Sequence, residues 1–552
     1  MRIIQPAAVL EFKVRCHLSR SIRSLTLFLA SGLKLLYDNI AAGAMHNSKE
    51  RYDSPKCLPD TRKAVLSDIT SWVSDHSKKT CILWLSAPAG SGKSAILQQI
   101  AENYYNSGGL AASFFFSRTA TKRNSETFLI TTLASQIATS IPATKPLIEG
   151  AIERDPSIFH RVLSEQILRL LVCPLVYASL HPRSGLPWPT LLVIDGLDEC
   201  NGGEHQAEIL RILRMALLQL RSSLPKLYLL IASRPEPAIV AVFDNELPDI
   251  THRLVLDDTY HPDRDIALFL RSSFADIFHR RHAYFPSMSS LPRPWPPEHV
   301  ISFLVRKSSG QFIFAATVIR FIDADRKIPT AQLQLILDIC GSVDSSSFAT
   351  NPFALLDELY IYVLKSSEET ERAISIFGAI FYQSGTENPT LKFLQALLYL
   401  EPDDITMLFW DLHSIVHIPV SDKYPIHFYH ASFRDFLMDQ HTSRDLYIDG
   451  SKAHSFLLRR CIQTLTDFHG GSFRERTVVA SRYCMDYWAT RYNHGDQLDP
   501  GVLDKVLEEY DPETWLPLHS SGHNSASISW YNHFVLLRER LHSRVSIFIC
   551  LV

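Results

Sequence analysis

Eight residues constrain this chain more than any others: Ala87-Pro88-Ala89-Gly90-Ser91-Gly92-Lys93-Ser94. An apolar run, Cys81-Ile82-Leu83-Trp84-Leu85, leads into them. An amphipathic run, Ala95-Ile96-Leu97-Gln98-Gln99-Ile100, leads out. Strand, glycine-rich loop and helix in that order predict a phosphate cradle. Gly90 and Gly92 let successive backbone N–H groups converge on one point. The helix starting near Lys93 adds the positive end of its dipole there. Lys93 is expected at the β- and γ-phosphates and Ser94 at Mg²⁺, with Ser91 and Ala95 completing the loop's contacts. Ala87 stands where the strict motif has Gly, a mild departure if its φ is negative. The bland alternative is a turn that merely happens to contain Gly-Ser-Gly-Lys-Ser.

A second signal about a hundred residues on weakens that alternative. Leu191-Leu192-Val193-Ile194-Asp195-Gly196-Leu197-Asp198-Glu199 is an apolar run that ends in carboxylates. Its unbroken apolar character predicts a parallel strand buried on both faces. Asp195 at the tip is expected to hold Mg²⁺ through water. Glu199, with Asp198 beside it, is placed to orient or deprotonate a hydrolytic water. The plainer role for Asp198 and Glu199 is capping of a helix near 206–221. A third apolar run, Lys226 to Ala232, ends in Ser233-Arg234-Pro235. Polar and cationic residues at the C-terminal end of a buried strand mark the sheet edge where ligands bind. Arg234 reads equally as a γ-phosphate sensor and as an ion-pair partner of Asp198 or Glu199.

Taken together, these residues resemble the NACHT group of STAND nucleotide-switch P-loop ATPases, in the nephrocystin-3-like form abundant in mushroom-forming fungi. The likeness extends to Cys57-Leu58-Pro59-Asp60-Thr61-Arg62 with Trp72, and to Ala111 through Arg118. It continues through Ser233-Arg234-Pro235-Glu236, Gly310 through Thr317 and Leu356 through Tyr360. It closes on Phe428-Tyr429-His430-Ala431-Ser432-Phe433-Arg434-Asp435-Phe436-Leu437. The resemblance implies ATP or ADP with Mg²⁺ as ligands and Thr61 and Arg62 at the nucleotide. It also implies that His430, on a winged-helix domain, reaches the β-phosphate of ADP. A histidine satisfied inside its own domain is the plainer reading of His430. Gln311-Phe312 replace the proline that packs on adenine in related animal proteins, so the base contact is left open.

The implied fold class is an α/β P-loop domain followed by helical and winged-helix domains and a mostly α C-terminal region. The expected divisions are a basic amphipathic segment over 1–43, a lead-in over 44–80 and a nucleotide domain over 81–256. A helical domain over 257–345, a winged helix over 346–445 and a helical region over 446–552 follow. Strands are expected near 81–85, 111–116, 191–195, 226–232 and 252–256, alternating with helices. The resemblance places the sensor strand between the two motif-bearing strands. Helices are expected near 208–221, 298–308 and 311–323. Four prolines between Ser287 and Pro297 predict an exposed loop. Ser342 to Ser347 reads as a linker, and an apolar tail runs from Val545 to Val552. Family members continue into repeats. None is read here, so the sensing module is missing, supplied elsewhere or lost to truncation.

The 552 residues suffice for about three to four domains. A formal net charge of −3 leaves no broad footprint for nucleic acid. Nine scattered cysteines, without a C-x-x-C pair, argue against a disulfide framework and for a reducing, cytoplasmic interior. No uninterrupted apolar stretch is long enough to span a membrane. The first forty residues are basic, with a short apolar patch from Leu25 to Ala30. That pattern suits a transit peptide, a membrane-surface helix, a partner-docking helix or an ordinary helix packed on the body.

The function implied by the resemblance is a slow ATPase switch in fungal non-self recognition or programmed cell death. It would self-associate in its ATP state and act through unknown protein partners. The alternatives are a cycling P-loop ATPase acting on protein or nucleic acid, and a nucleotide-binding scaffold without turnover.

Overall fold

The computed structural model describes residues 32–466, apart from 52–53, 181–187, 221–226, 326, 343–352, 383–389, 420 and 422–424. Five strands form a parallel sheet: β1 (Ile82–Ser86), β2 (Leu110–Phe115), β3 (Leu191–Asp195), β4 (Tyr228–Ser233) and β5 (Thr251–Val255). Their order is β2-β3-β4-β1-β5, so β4 separates the strand before the glycine-rich loop from the acidic strand. That is the position the resemblance implied. In register, Leu83 of β1 lies opposite Leu230 of β4, and Val193 of β3 lies opposite the same Leu230.

Alternation along the strands explains why the inner runs of β1, β3 and β4 are almost wholly apolar. Ile82 and Trp84 point into one core, and Leu83 and Leu85 point into another. Leu192 and Ile194 of β3 divide from Leu191 and Val193 in the same way. Burial of one such leucine or isoleucine contributes about 1.5–3 kcal/mol. The first core is covered by helices Leu129–Ser140 and Gly203–Leu220, the second by Lys63–Ser74 and Lys93–Asn106. Trp84 stacks on Phe243 at 4.1 Å between ring centroids and donates from Nε1 to Ser233 Oγ at 2.8 Å. On the edge strand, Arg253 lies over the Trp84 ring and pairs with Asp244, which places charge where another strand would add.

Helix Gly32–Asp38 buries Leu36 in the first core and packs against helix Lys145–Arg154. The basic stretch before it, with Leu25 to Ala30, lies outside the described residues. Among the described residues, one continuous helical stretch, Leu163–Leu180, has a span-like length and apolarity. Its Ile167, Leu170, Leu171 and Leu175 are in the protein core.

Beyond β5 the chain is largely helical. Helix Pro262–Arg281 comes first, and helices Glu298–Ser308 and Phe312–Ile322 match the sequence reading closely. The segment from Ser287 to Pro297 is largely the exposed loop expected, with Met288, Trp295 and Pro296 buried. It opens with a helical turn, Pro286–Ser289, and Trp295 is buried edge-on against Phe274. Its prolines lie in an irregular, mostly exposed stretch that Trp295 pins to the core. Helices Ala354–Lys365, Thr370–Tyr382, Leu391–Leu398, Pro402–Leu408 and Ala431–Leu437 follow, with an antiparallel pair, β6 (Val416–His417) and β7 (His427–Phe428). Phe377, Phe409, Phe428 and Phe433 form an aromatic cluster in this third core. The linker expected within 342–347 and the apolar tail at 545–552 lie outside the described residues, except Ser342.

Candidate functional site

The glycine-rich loop joins β1 to helix Lys93–Asn106. Gly90 and Gly92 have φ of +73° and +90°, a region that side chains resist. Ala87 is not among the residues with positive φ, so its methyl group is accommodated. Lys93 Nζ donates to the Ala87 and Pro88 carbonyls at 2.8 and 2.9 Å, across the mouth of the loop. Burial lowers the Lys93 pKa, and Asp198 and Asp195 oppose that shift. Ser91 Oγ donates to Pro88 O, closing the turn from within.

The loop is braced from two sides. Arg62 Nη2 donates to the Ser91 carbonyl at 2.6 Å, and its guanidinium lies 4.4 Å from the Phe312 ring centroid. The Arg62 backbone N–H donates to Asp265, on the first helix after β5. Thr61 donates its hydroxyl to Leu58 O at 2.7 Å. These polar contacts of Thr61 and Arg62 hold the lead-in segment and the loop. On the other side, Ile313 N–H donates to the Gly90 carbonyl at 3.2 Å.

A Cβ built on Gly90 would lie 2.3 Å from Ile313 Cγ2. Gly90→Ala is therefore expected to destabilise the protein by about 1–3 kcal/mol, from strained φ and from the clash. Thermal unfolding should show a midpoint several degrees lower. An unchanged midpoint would mean that the loop is free to move away from Ile313.

Asp195 ends β3 beside the loop. Ser94 shares a hydrogen bond with its carboxylate, while the buried Oδ1 has no hydrogen-bond partner. Burial raises the Asp195 pKa, against the Ser94 hydrogen bond and the charges of Arg51 and Lys93. Glu199 closes a 3-10 turn, Leu197–Glu199, and its Oε2 accepts the Arg118 backbone N–H at 3.0 Å. Burial and then Asp198 push Glu199 up to about 7, against the Arg118 N–H. Asp198 is turned elsewhere. It accepts Arg234 N–H at 2.9 Å and pairs with Arg234 Nε at 3.2 Å. Neither residue caps the helix Gly203–Leu220, which starts beyond that turn.

Two partly buried arginines support the acidic cluster, and the sequence reading did not single them out. Arg51 lies 3.7 Å over the Phe115 ring, and Arg123 Nε donates to Phe115 O at 3.0 Å. Burial lowers both, Arg51 to about 9, while Asp195 and Glu199 hold their charge up.

His430 caps helix Ala431–Leu437 with Nδ1, which accepts the Ser432 N–H at 3.0 Å. A backbone N–H can only donate, so the neutral ring carries its proton on Nε2. Ser432 Oγ lies 2.7 Å from Nδ1 and 3.1 Å from the Tyr360 hydroxyl, extending the chain of bonds. Burial, then the charges of Arg234 and Lys93, lower the His430 pKa to about 3. His430 is thus satisfied within its own helix, as the plainer reading had it, and feels the charges of Arg234 and Lys93.

The same helix supplies Asp435. Its Oδ2 accepts Arg234 Nη1 at 3.0 Å and its Oδ1 accepts Arg118 Nη1 at 2.9 Å. Arg434 adds a bond from Nη1 to the Arg118 carbonyl at 2.8 Å. Burial works against the Arg234 charge, but Asp435 and Asp198 outweigh it and raise its pKa. The ion-pair reading of Arg234 is what the geometry contains, with Asp435 as an additional partner.

Residues 60–234 match the family described as Nephrocystin 3, N-terminal. The nephrocystin-3-like segment therefore begins just before Arg62 and ends on Arg234. It contains the glycine-rich loop, Asp195, Asp198 and Glu199. His430 and Asp435 lie outside it and reach it through the fold. No curated protein matches the chain. The structure brings Lys93, Ser94, Asp195, Asp198, Glu199, Arg234 and His430 to one end of the sheet. Arg118 follows β2 as Arg234 follows β4, so a cation beyond a strand's C-terminal end was the signal available for it.

Proposed function

We propose that this chain is a P-loop nucleotide switch of the STAND class, which binds ADP or ATP with Mg²⁺ and hydrolyses slowly. The observation that carries the proposal is the buried, unpartnered Oδ1 of Asp195 beside the hydroxyl of Ser94, the residue that follows Lys93. An unanswered buried carboxylate oxygen is costly unless a cation meets it. Ser94 and Asp195 fit such a cation; Mg²⁺, when bound, supplies charge neutralisation at the β- and γ-phosphates. Gly90 and Gly92 give the loop the backbone shape for phosphate oxygens, and Lys93 offers three N–H donors there. Glu199, held near neutrality, suits a group that orients water and takes its proton.

Denaturing the purified protein and identifying the nucleotide released tests the reading. ADP is expected. Protein that releases none and binds neither Mg-ADP nor Mg-ATP defeats it. Steady-state turnover near the ~10 s⁻¹ of metabolic enzymes would favour a cycling ATPase over a switch.

His430 supplies the state dependence. Its Nε2–H is a donor on a segment remote in sequence from the loop. A hydrogen bond to a charged phosphate is worth about 1.5–3 kcal/mol. His430→Ala should weaken ADP binding by roughly ten- to a hundredfold and ATP binding little. Calorimetric titration with both nucleotides checks this. Equal losses would make His430 a support of the fold only. The same variant should self-associate more readily, read by sedimentation.

A further inference from the structure

We propose that Arg118 and Arg234 form a two-arginine site for the terminal phosphate of a nucleoside triphosphate, and that the Asp435 carboxylate occupies this site from within the chain. The inference rests on the nucleotide reading above and extends it to how the protein tells ATP from ADP.

The two arginines follow β2 and β4, the strands on either side of the acidic strand β3. Both therefore stand at the C-terminal edge of the sheet, where ligands of open α/β sheets bind. Asp435 gives one carboxylate oxygen to each guanidinium, at 2.9 and 3.0 Å. An oxyanion that spans two guanidinium groups is the geometry by which proteins hold phosphoryl oxygens.

The arginines are held in place by other bonds. Arg118 Nη2 donates to the Asp198 carbonyl at 3.0 Å, and Arg234 Nε pairs with Asp198 Oδ2 at 3.2 Å. Asp198 is the fixed floor of the site, its side chain only 3% exposed. Asp435 is 33% exposed and belongs to a separate seven-residue helix. The floor stays when Asp435 leaves, and one positive charge is then uncovered.

His430 caps the helix that carries Asp435, so one displacement moves both groups. A diphosphate ends before the two arginines and leaves Asp435 seated. A third phosphate competes with Asp435 for the same donors. Its entry lifts the helix, and His430 with it. The charge pair therefore opposes ATP and is neutral toward ADP.

Asp435→Asn removes the charge and keeps the shape. Binding of ADP and of a non-hydrolysable ATP analogue, each with Mg²⁺, is measured on the full chain. The ATP analogue should bind about tenfold more tightly than to wild type, and ADP should change by less than about twofold. Arg118→Gln added to Asp435→Asn should remove the gain. Arg118→Gln alone should lower the preference for the ATP analogue over ADP, a readout that does not depend on Asp435→Asn folding. A gain shared equally by ADP, no gain, or a gain that survives Arg118→Gln overturns the site. Wild-type protein that binds neither nucleotide would instead defeat the underlying reading.

Discussion

Lys93→Ala should abolish the proposed nucleotide binding: the variant is expected to purify without nucleotide, with affinity for Mg-ADP lowered at least about a hundredfold. Lys93 is the one cation among the eight loop residues. Its ammonium lies across the loop on the Ala87 and Pro88 carbonyls, and Ser94 and Asp195 lie alongside. Alanine leaves the glycine conformations and the Ile313 contact intact, so the fold should survive and the thermal midpoint should move little. Nucleotide recovered from the denatured variant at wild-type occupancy would show that the phosphates sit elsewhere.

Glu199→Gln should lower hydrolysis by about a hundredfold or more while both nucleotides still bind. The glutamine oxygen can still accept the Arg118 N–H, so the turn at Leu197–Glu199 is preserved. The bound triphosphate should accumulate, and chromatography of released nucleotide would detect it. Undiminished turnover would transfer the water-positioning role to another residue.

The same variant has a pH signature. Burial raises Glu199 from 4.5 to about 7 in the folded protein. Below about pH 4.5 both states carry the proton. Between that value and 7 the unfolded chain loses it while the fold keeps it. The stability tied to this proton is therefore lost as pH rises through the folded value. Glutamine carries no such dependence. Glu199→Gln should gain on wild type between pH 5 and pH 8 by on the order of 2–3 kcal/mol. Thermal midpoints at the two pH values measure it; a difference independent of pH would mean that Glu199 ionises freely in the fold.

The strands and the loop were legible because local chemistry dictates them. A run such as Leu191 to Ile194, apolar at every position, has few soluble options other than a strand covered on both faces. Glycines at two turn positions before Lys93 are equally local. The partnerships across the fold were not legible. Arg118 and Asp435 are separated by 317 positions, and no periodicity links them. Arg51 and Arg123 were overlooked for a related reason: a partly buried cation has the same letter as a surface one, and only packing distinguishes them. Thr61 and Arg62 were placed at the nucleotide by resemblance. Their hydrogen bonds run to Leu58, Ser91 and Asp265, which makes them the frame of the loop. The loop from Ser287 to Pro297 was legible from its prolines, but the burial of Trp295 within it was not, because four nearby prolines outweigh one aromatic in any local count.

The bond from Ile313 N–H to the Gly90 carbonyl joins main chain to main chain. Ile313 lies in the first turn of its helix, where N–H groups lack partners within the helix. The loop carbonyl answers one of them. Substitution of the Ile313 side chain leaves both bonding groups in place, whereas a side chain on Gly90 would press against Ile313. The posture of the helical region is thereby transmitted to the loop through peptide geometry, in a mechanical coupling that amino-acid identity does not record.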